Sequence, residues 1–177
     1  MSRTQEILMA GTGGQGLIAM ASLLAEAAIE EGRHVAQTQS YGVAQRGGFI
    51  SAEVVIGSEP VLYQNTRNPD VIIALHGVVG SRYDACSAPV VFDSTLLERD
   101  LPNWIGIPCT AMAAELGVVK AANIVAMGAM ARVRPIVSTE SLEAAIRHRF
   151  KGKQRIAELN IQALRQGFAA AGALTAE

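Results

Sequence analysis

The hexapeptide GTGGQG at residues 11–16 constrains this chain more than any other feature. A short apolar run at residues 6–10 precedes it. From residue 14 to 31 the apolar positions Leu17, Met20, Ala21, Leu24 and Ala28 then fall on one helical face. Strand, glycine turn and helix in that order put the turn at a strand's carboxyl end, where backbone N–H groups and the helix dipole can receive an anion. A dinucleotide site needs more: about 20 positions on, an acidic residue for the ribose or an arginine for a 2′-phosphate. The end of the next strand reads Gln37, Thr38, Gln39, Ser40 and supplies neither. A different anion, or a turn that only lets the helix pack closely on the sheet, remains open.

Gly32 stops the helix, and residues 34–39 follow as a second, more polar strand. Residues 49–56 alternate through Ala52, Val54 and Ile56 as a third strand, which reaches the turn at 57–60. No helix separates the second strand from the third. That break in βα alternation predicts an antiparallel element inside a mixed, mostly parallel sheet. The unbroken apolar strand DVIIAL at 70–75 implies cover on both faces, a short helix-like stretch runs on to Cys86, and 89–93 and 104–108 supply two further strands. The last third is helical, over 110–116, 123–131, 139–149 and 153 to about 170. The whole reads as one α/β domain over residues 1–177. Its core is built from Ala, Val, Ile, Leu and Met, since only 5% of the residues are aromatic. A chain of this length buries about 70% of its unfolded surface and needs no disulfide or metal staple.

Several functional classes drop out. Fifteen Lys and Arg against sixteen Asp and Glu leave no basic stripe for a phosphate backbone, so no nucleic-acid partner is expected. No apolar run reaches the roughly 18 residues of a membrane span, and no secretory leader pattern opens the chain, so a cytoplasmic protein is expected. Cys86 and Cys109 cannot supply the four thiolates of an iron–sulfur cluster. His34, His76 and His148 stand apart from any carboxylate or thiol at metal-ligand spacing.

A second motif is YGVAQRGG, residues 41–48, in which a lone Arg46 precedes Gly47 and Gly48 in an otherwise uncharged loop. Paired glycines permit a sharp turn or a close approach to another surface. An arginine there suits a phosphate, a carboxylate or a partner's acidic side chain, against the plainer reading of a solvated arginine on a surface turn. If the first two strands are parallel neighbours, as a strand–helix–strand unit implies, this loop emerges beside the glycine turn. Asn123, at the start of a helix, reads as a cap, and Asn160, beside the stripe of Ile156, Leu159, Ala163 and Leu164, as a core-edge hydrogen bond.

Taken together, GTGGQG, YGVAQRGG, PCTAMAAELG, NIVAMGAM and ELNIQAL resemble the gamma subunit of 2-oxoacid:ferredoxin oxidoreductases over essentially the whole chain. The resemblance implies a three-layer α/β/α domain with a mixed, mostly parallel sheet and a helical C-terminal third. It also implies a reaction: oxidative decarboxylation of a 2-oxoacid with coenzyme A to an acyl-CoA and carbon dioxide, with reduction of ferredoxin. The implied complex uses thiamine diphosphate, magnesium, iron–sulfur clusters and coenzyme A. The implied partners are alpha and beta subunits, which carry the thiamine diphosphate, optionally a small ferredoxin-like delta subunit, and ferredoxin itself. No G-D-G segment of the thiamine-binding type occurs in this chain, so an accessory subunit without a cofactor of its own, inactive alone, is expected. Carried over residue by residue, the glycine loop maps to Gly11, Gly13, Gly14, Gln15 and Gly16, and the arginine motif to Tyr41, Gly42, Arg46, Gly47 and Gly48. These ten are the expected anion, coenzyme A or subunit-interface loops, with no catalytic residue and no metal ligand among them. Asn123 and Asn160 match the family's two late asparagines. Val43 stands where a proline often follows the Tyr-Gly pair, and His76 departs from the commoner small or acidic residue. The competing expectation is a free-standing NAD(P)- or FAD-binding regulatory or redox module built on GTGGQG alone.

Overall fold

The computed structural model describes residues 4–42 and 48–174. Strands β1 (Gln5–Thr12), β2 (His34–Tyr41), β3 (Phe49–Gly57), β4 (Val71–Ala74), β5 (Val90–Asp93) and β6 (Trp104–Ile107) form one sheet in the order β2-β3-β1-β4-β5-β6. Helix α1 (Leu17–Glu30) joins β1 to β2. After β6 come α2 (Cys109–Glu115), α3 (Ala122–Val133), α4 (Thr139–Arg149) and α5 (Gln154–Leu174). The pairs β1–β4, β4–β5 and β5–β6 are parallel, whereas β3 runs antiparallel to both β1 and β2. The antiparallel element expected from the missing helix is therefore present.

One sequence-based expectation is corrected: β1 and β2 are not neighbours. β3 lies between them, so β2 runs in the direction of β1 but occupies the sheet edge. Polarity explains the order. Ala52, Val54, Val55 and Ile56 of β3 are fully buried, whereas no residue of the polar β2, HVAQTQSY, is. An apolar strand gains most from an interior position, and a polar one tolerates an edge.

Alternation splits the sheet into two faces. Ile7, Met9, Val54, Ile56, Ile73 and Val91 point into a core to which all five helices contribute. On the other face, Leu8, Ala10, Ile72, Val90, Phe92 and Trp104 pack under Val79 and Leu97. Those covering residues come from a 3₁₀ turn at Gly77–Val79 and from irregular crossovers. Among the described residues, the helical stretch expected to reach Cys86 shortens to that single turn. Farther along the same face, Glu6 and Glu53 are buried, and a strap at 63–68 satisfies them. Glu6 accepts bonds from the Tyr63 hydroxyl and the N–H groups of Arg67 and Asn68, and Glu53 from the N–H and hydroxyl of Thr66.

α3 and α5 cross in contact through two glycines. A β-carbon on Gly128 would overlap the Leu164 carbonyl oxygen, and one on Gly167 would overlap that of Val125. This reciprocal approach fixes where the helices carry Asn123 and Asn160.

Candidate functional site

The glycine turn is held open by its own side chain. Gln15 Oε1 accepts from Thr12 N at 2.8 Å, and Gln15 Nε2 donates to Leu75 O, just past β4, at 2.8 Å. The side chain therefore fastens the turn to the neighbouring strand. A β-carbon at Gly11 would collide with Gln15 Oε1, which accounts for the first glycine of the motif. Gly14 and Gly16 take φ of 89° and 73°, a region that disfavours any residue with a β-carbon. Gly16 is the N-cap of α1 and offers no side chain to it. The first intrahelical bond runs from Met20 N to Gly16 O at 2.9 Å, so the N–H groups of residues 17–19 lie ahead of the helical ladder.

Asn123 does not cap α3. That helix has Ala121 as its N-cap and no side-chain cap bond. Asn123, 6% exposed, reaches across and donates from Nδ2 to Gly16 O at 3.2 Å, tying α3 to the start of α1. Its Oδ1 is buried and has no hydrogen-bond partner among the described residues. Asn160 behaves as expected, donating to Ile156 O at 2.8 Å. Beside the turn lies a cleft of about 450 Å³ whose lining includes Gly16, Lys120, Asn123, Arg149, Phe150 and Asn160. A smaller one, about 280 Å³, is lined by Gln15, Leu75, Asp93, Thr110, Lys120 and Asn123 among others. Asp93, 1% exposed, is consumed locally, accepting bonds from Thr95 N, Thr110 N and the Thr110 hydroxyl at the start of α2.

Of the expected site residues, Gly11 lies near the end of β1, and Gly13, Gly14, Gln15 and Gly16 form the turn that follows it. Tyr41 is 60% exposed at the end of β2. Gly42 donates its N–H to Phe49 O at 2.7 Å, closing the base of the β2–β3 hairpin ahead of Gly48. Arg46 and Gly47 lie outside the described residues, as do Val43, Ala44 and Gln45. Because β2 runs in the direction of β1, the carboxyl ends of both strands, with Gly42 after one and the glycine turn after the other, lie at the same end of the sheet. With β3 intervening, the strand ends are separated by two spacings, roughly 10 Å. The same displacement removes the dinucleotide geometry, which needs the second strand beside the first.

Lys120 and Arg149 were not singled out by the sequence. They stand more than a hundred residues from the turn, and no spacing rule links them to it. Burial pushes the Cys109 thiol well above the ordinary cysteine range, with Asp93 adding to the effect, so this cysteine is not a ready nucleophile. Among the described residues no group of His, Cys, Asp and Glu could hold a metal ion, and no helix is long and apolar enough to cross a membrane.

Comparisons with known proteins agree with this architecture. A family model described as pyruvate ferredoxin/flavodoxin oxidoreductase matches residues 6–170. The chain is 35% identical over 173 residues to the 2-oxoglutarate synthase subunit KorC of Archaeoglobus fulgidus, covering 95% of this chain and 88% of that one. It is 34% identical over 167 residues to the ketoisovalerate oxidoreductase subunit VorA of Methanothermobacter thermautotrophicus. That match covers 91% of this chain but spans only 35% of the length of VorA. Among solved structures, the gamma subunit of a keto/oxoacid ferredoxin oxidoreductase from Geobacter sulfurreducens superposes with a TM-score of 0.81 at 32% identity, covering 96% of this chain and 99% of that one. On the strength of a match that runs from β1 into α5, the chain belongs to the pyruvate ferredoxin/flavodoxin oxidoreductase family.

Proposed function

We propose that the chain is the gamma subunit of a 2-oxoacid:ferredoxin oxidoreductase. In this reading it works in the cytoplasm beside alpha and beta subunits, in a complex that converts a 2-oxoacid and coenzyme A to an acyl-CoA and carbon dioxide while reducing ferredoxin. The observation that carries the reading is the near end-to-end match to the Geobacter sulfurreducens gamma subunit, 99% of whose length is covered. The printed names of the relatives, for 2-oxoglutarate and for ketoisovalerate, support 2-oxoacids as the substrate class.

The chain's own donors do not fit the redox groups of such a complex. Two cysteines, Cys86 half-buried and Cys109 buried, fall short of a cluster's four thiolates. The chain's part is to present the glycine turn that follows β1, and the arginine motif that follows β2 in the sequence, to the catalytic subunits or to coenzyme A. Assembly tests this. Co-expressed with the alpha and beta chains of its own organism, the protein should co-elute with them on size exclusion at micromolar concentration. Elution as separate species at low salt would refute the subunit reading.

A further inference from the structure

Strand β2 leaves one long edge of the sheet open. It is paired on one side only, to β3, in an unbroken one-to-one register from His34 opposite Gly57 to Tyr41 opposite Ile50. Among the described residues, none of the hydrogen bonds outside that ladder involves residues 34–41. A strand directs its backbone N–H and C=O groups alternately to its two sides, so about half of those of β2 point outward without a protein partner. Such a row is a template for another strand, and folds ordinarily block it with a short edge, a proline, a lysine, a bulge or a covering element. Among the described residues β2 has none of these. It is eight residues long, reads HVAQTQSY, and has His34, at its first position, as its only basic side chain. The opposite edge strand, β6, has only four residues.

An edge of this kind accepts an extended strand, and the strand of the described fold with an equally long and equally open edge is β2 itself. We propose that two copies of the chain pair antiparallel along β2, about a two-fold axis that passes through Thr38 perpendicular to the sheet. The faces of the strand dictate this register. Val35 and Ile56 opposite it pack into the helix-side core, so the odd-numbered residues of β2 face the helices and the even-numbered ones face away. Directly opposed residues of an antiparallel pair share a face, so the axis passes through a residue and not between two. Placed on Thr38, it sets Val35 of one copy against Tyr41 of the other, Ala36 against Ser40, Gln37 against Gln39, and the two threonines against each other. β-Branched with aromatic and threonine with threonine are favourable cross-strand pairs, and no like charges meet. An axis through Gln37 would give neither pair. Tyr41, 60% exposed in the single chain, gains a neighbour on its open side. The inference concerns the chain by itself and does not rest on the subunit reading.

Sedimentation equilibrium of the whole chain across the micromolar range, with hydrogen exchange on the same samples, tests the pairing. A reversible dimer is expected, in which the outward amides of β2 exchange roughly tenfold or more slowly at the concentrated end of the series than at the dilute end. Cysteine cross-linking tests the register, with the wild-type chain as the background for Cys86. Thr38→Cys should give a disulfide-linked dimer under mild oxidation, because directly opposed β-carbons lie about 5 Å apart, close to the roughly 4 Å of a disulfide. Gln39→Cys meets its own copy only diagonally, at about 7 Å, and should link roughly tenfold more slowly. Should a cysteine variant fail to fold, the wild-type concentration series decides. A chain that stays monomeric throughout, a dimer whose β2 amides exchange as fast as those of the monomer, or equal linking at the two positions would each overturn the proposal. So would a chain that is monomeric alone and has its β2 amides protected only when alpha and beta subunits are added, since the edge would then take a strand from another protein.

Discussion

Replacing Gly128 with alanine should separate two helices that the site depends on. The new β-carbon would stand 2.8 Å from the Leu164 carbonyl carbon and 3.1 Å from its Cα, and would overlap the carbonyl oxygen. Ordinary β-carbon contacts begin at 3.4 Å. The neighbour is helix backbone, which cannot rotate away as a flexible side chain would, so α3 and α5 must move apart by roughly 1 Å along a close-packed crossing. Overpacking of this kind costs about 1–3 kcal/mol. Rigid backbone on the far side puts the clash at the upper end of that range, and the better helix propensity of alanine returns up to about 1 kcal/mol. A net loss of about 2 kcal/mol follows, equivalent to a fall in Tm of roughly 4–8 °C for a domain of this size. Gly167→Ala, which meets Val125 in the same way, should lose a similar amount. The double variant should lose less than the sum, because one separation relieves both clashes. Urea denaturation followed by far-ultraviolet circular dichroism measures this, with an unchanged m-value as the two-state check. A Gly128→Ala protein as stable as wild type, or more so, would show that helix propensity alone acts and that the α3–α5 crossing has room for a β-carbon.

Gln15→Leu should cost about 2 kcal/mol, because it leaves Thr12 N and Leu75 O without their partner; hydrogen exchange at Thr12 should speed up, and unchanged exchange would show that the turn does not depend on the side chain. Glu143 is held below the usual carboxylate range chiefly by Arg165, with Arg147 assisting. That stabilisation is present above the ordinary value of 4.5 and is lost as pH falls through the lowered one. Arg165→Met should therefore be less stable than wild type near neutral pH and converge with it in acid, as denaturation at several pH values would reveal; a gap that persists or widens in acid would contradict the assignment. Arg46→Ala should change stability by under about 0.5 kcal/mol yet lower the activity of the assembled complex through assembly or through KM for coenzyme A; wild-type turnover at limiting coenzyme A would reduce the loop to a structural turn.

The strand–turn–helix at the N-terminus, the hairpin and the order of the later elements were legible because each rests on local chemistry: GTGGQG, the lack of a helical sequence pattern between the second and third strands, and helical periodicity from residue 110 on. The place of β3 between β1 and β2 was not, since pairing partners are chosen by total burial across the sheet rather than by local pattern. The role of Asn123 was misread for a related reason. Its position at a helix start suggests a cap, but its hydrogen bond spans 107 residues to Gly16. Lys120 and Arg149 reach the cleft only through the α3–α5 crossing and the α4–α5 turn, which tertiary packing alone sets. Gln15 belonged to a motif visible in the sequence, though its function as a fastening to Leu75 depends on β4 lying beside β1.

The measurement that bears most directly on the subunit assignment is reconstituted turnover. Alpha and beta chains from the same organism should be assayed for coenzyme A-dependent reduction of ferredoxin by pyruvate, 2-oxoglutarate and 2-ketoisovalerate, with and without this chain. This chain alone should show no activity, the others little without it, and turnover with one or more of the three acids should return when it is added in stoichiometric amount. Full activity in its absence, or 2-oxoacid oxidation by this chain on its own, would refute the subunit assignment.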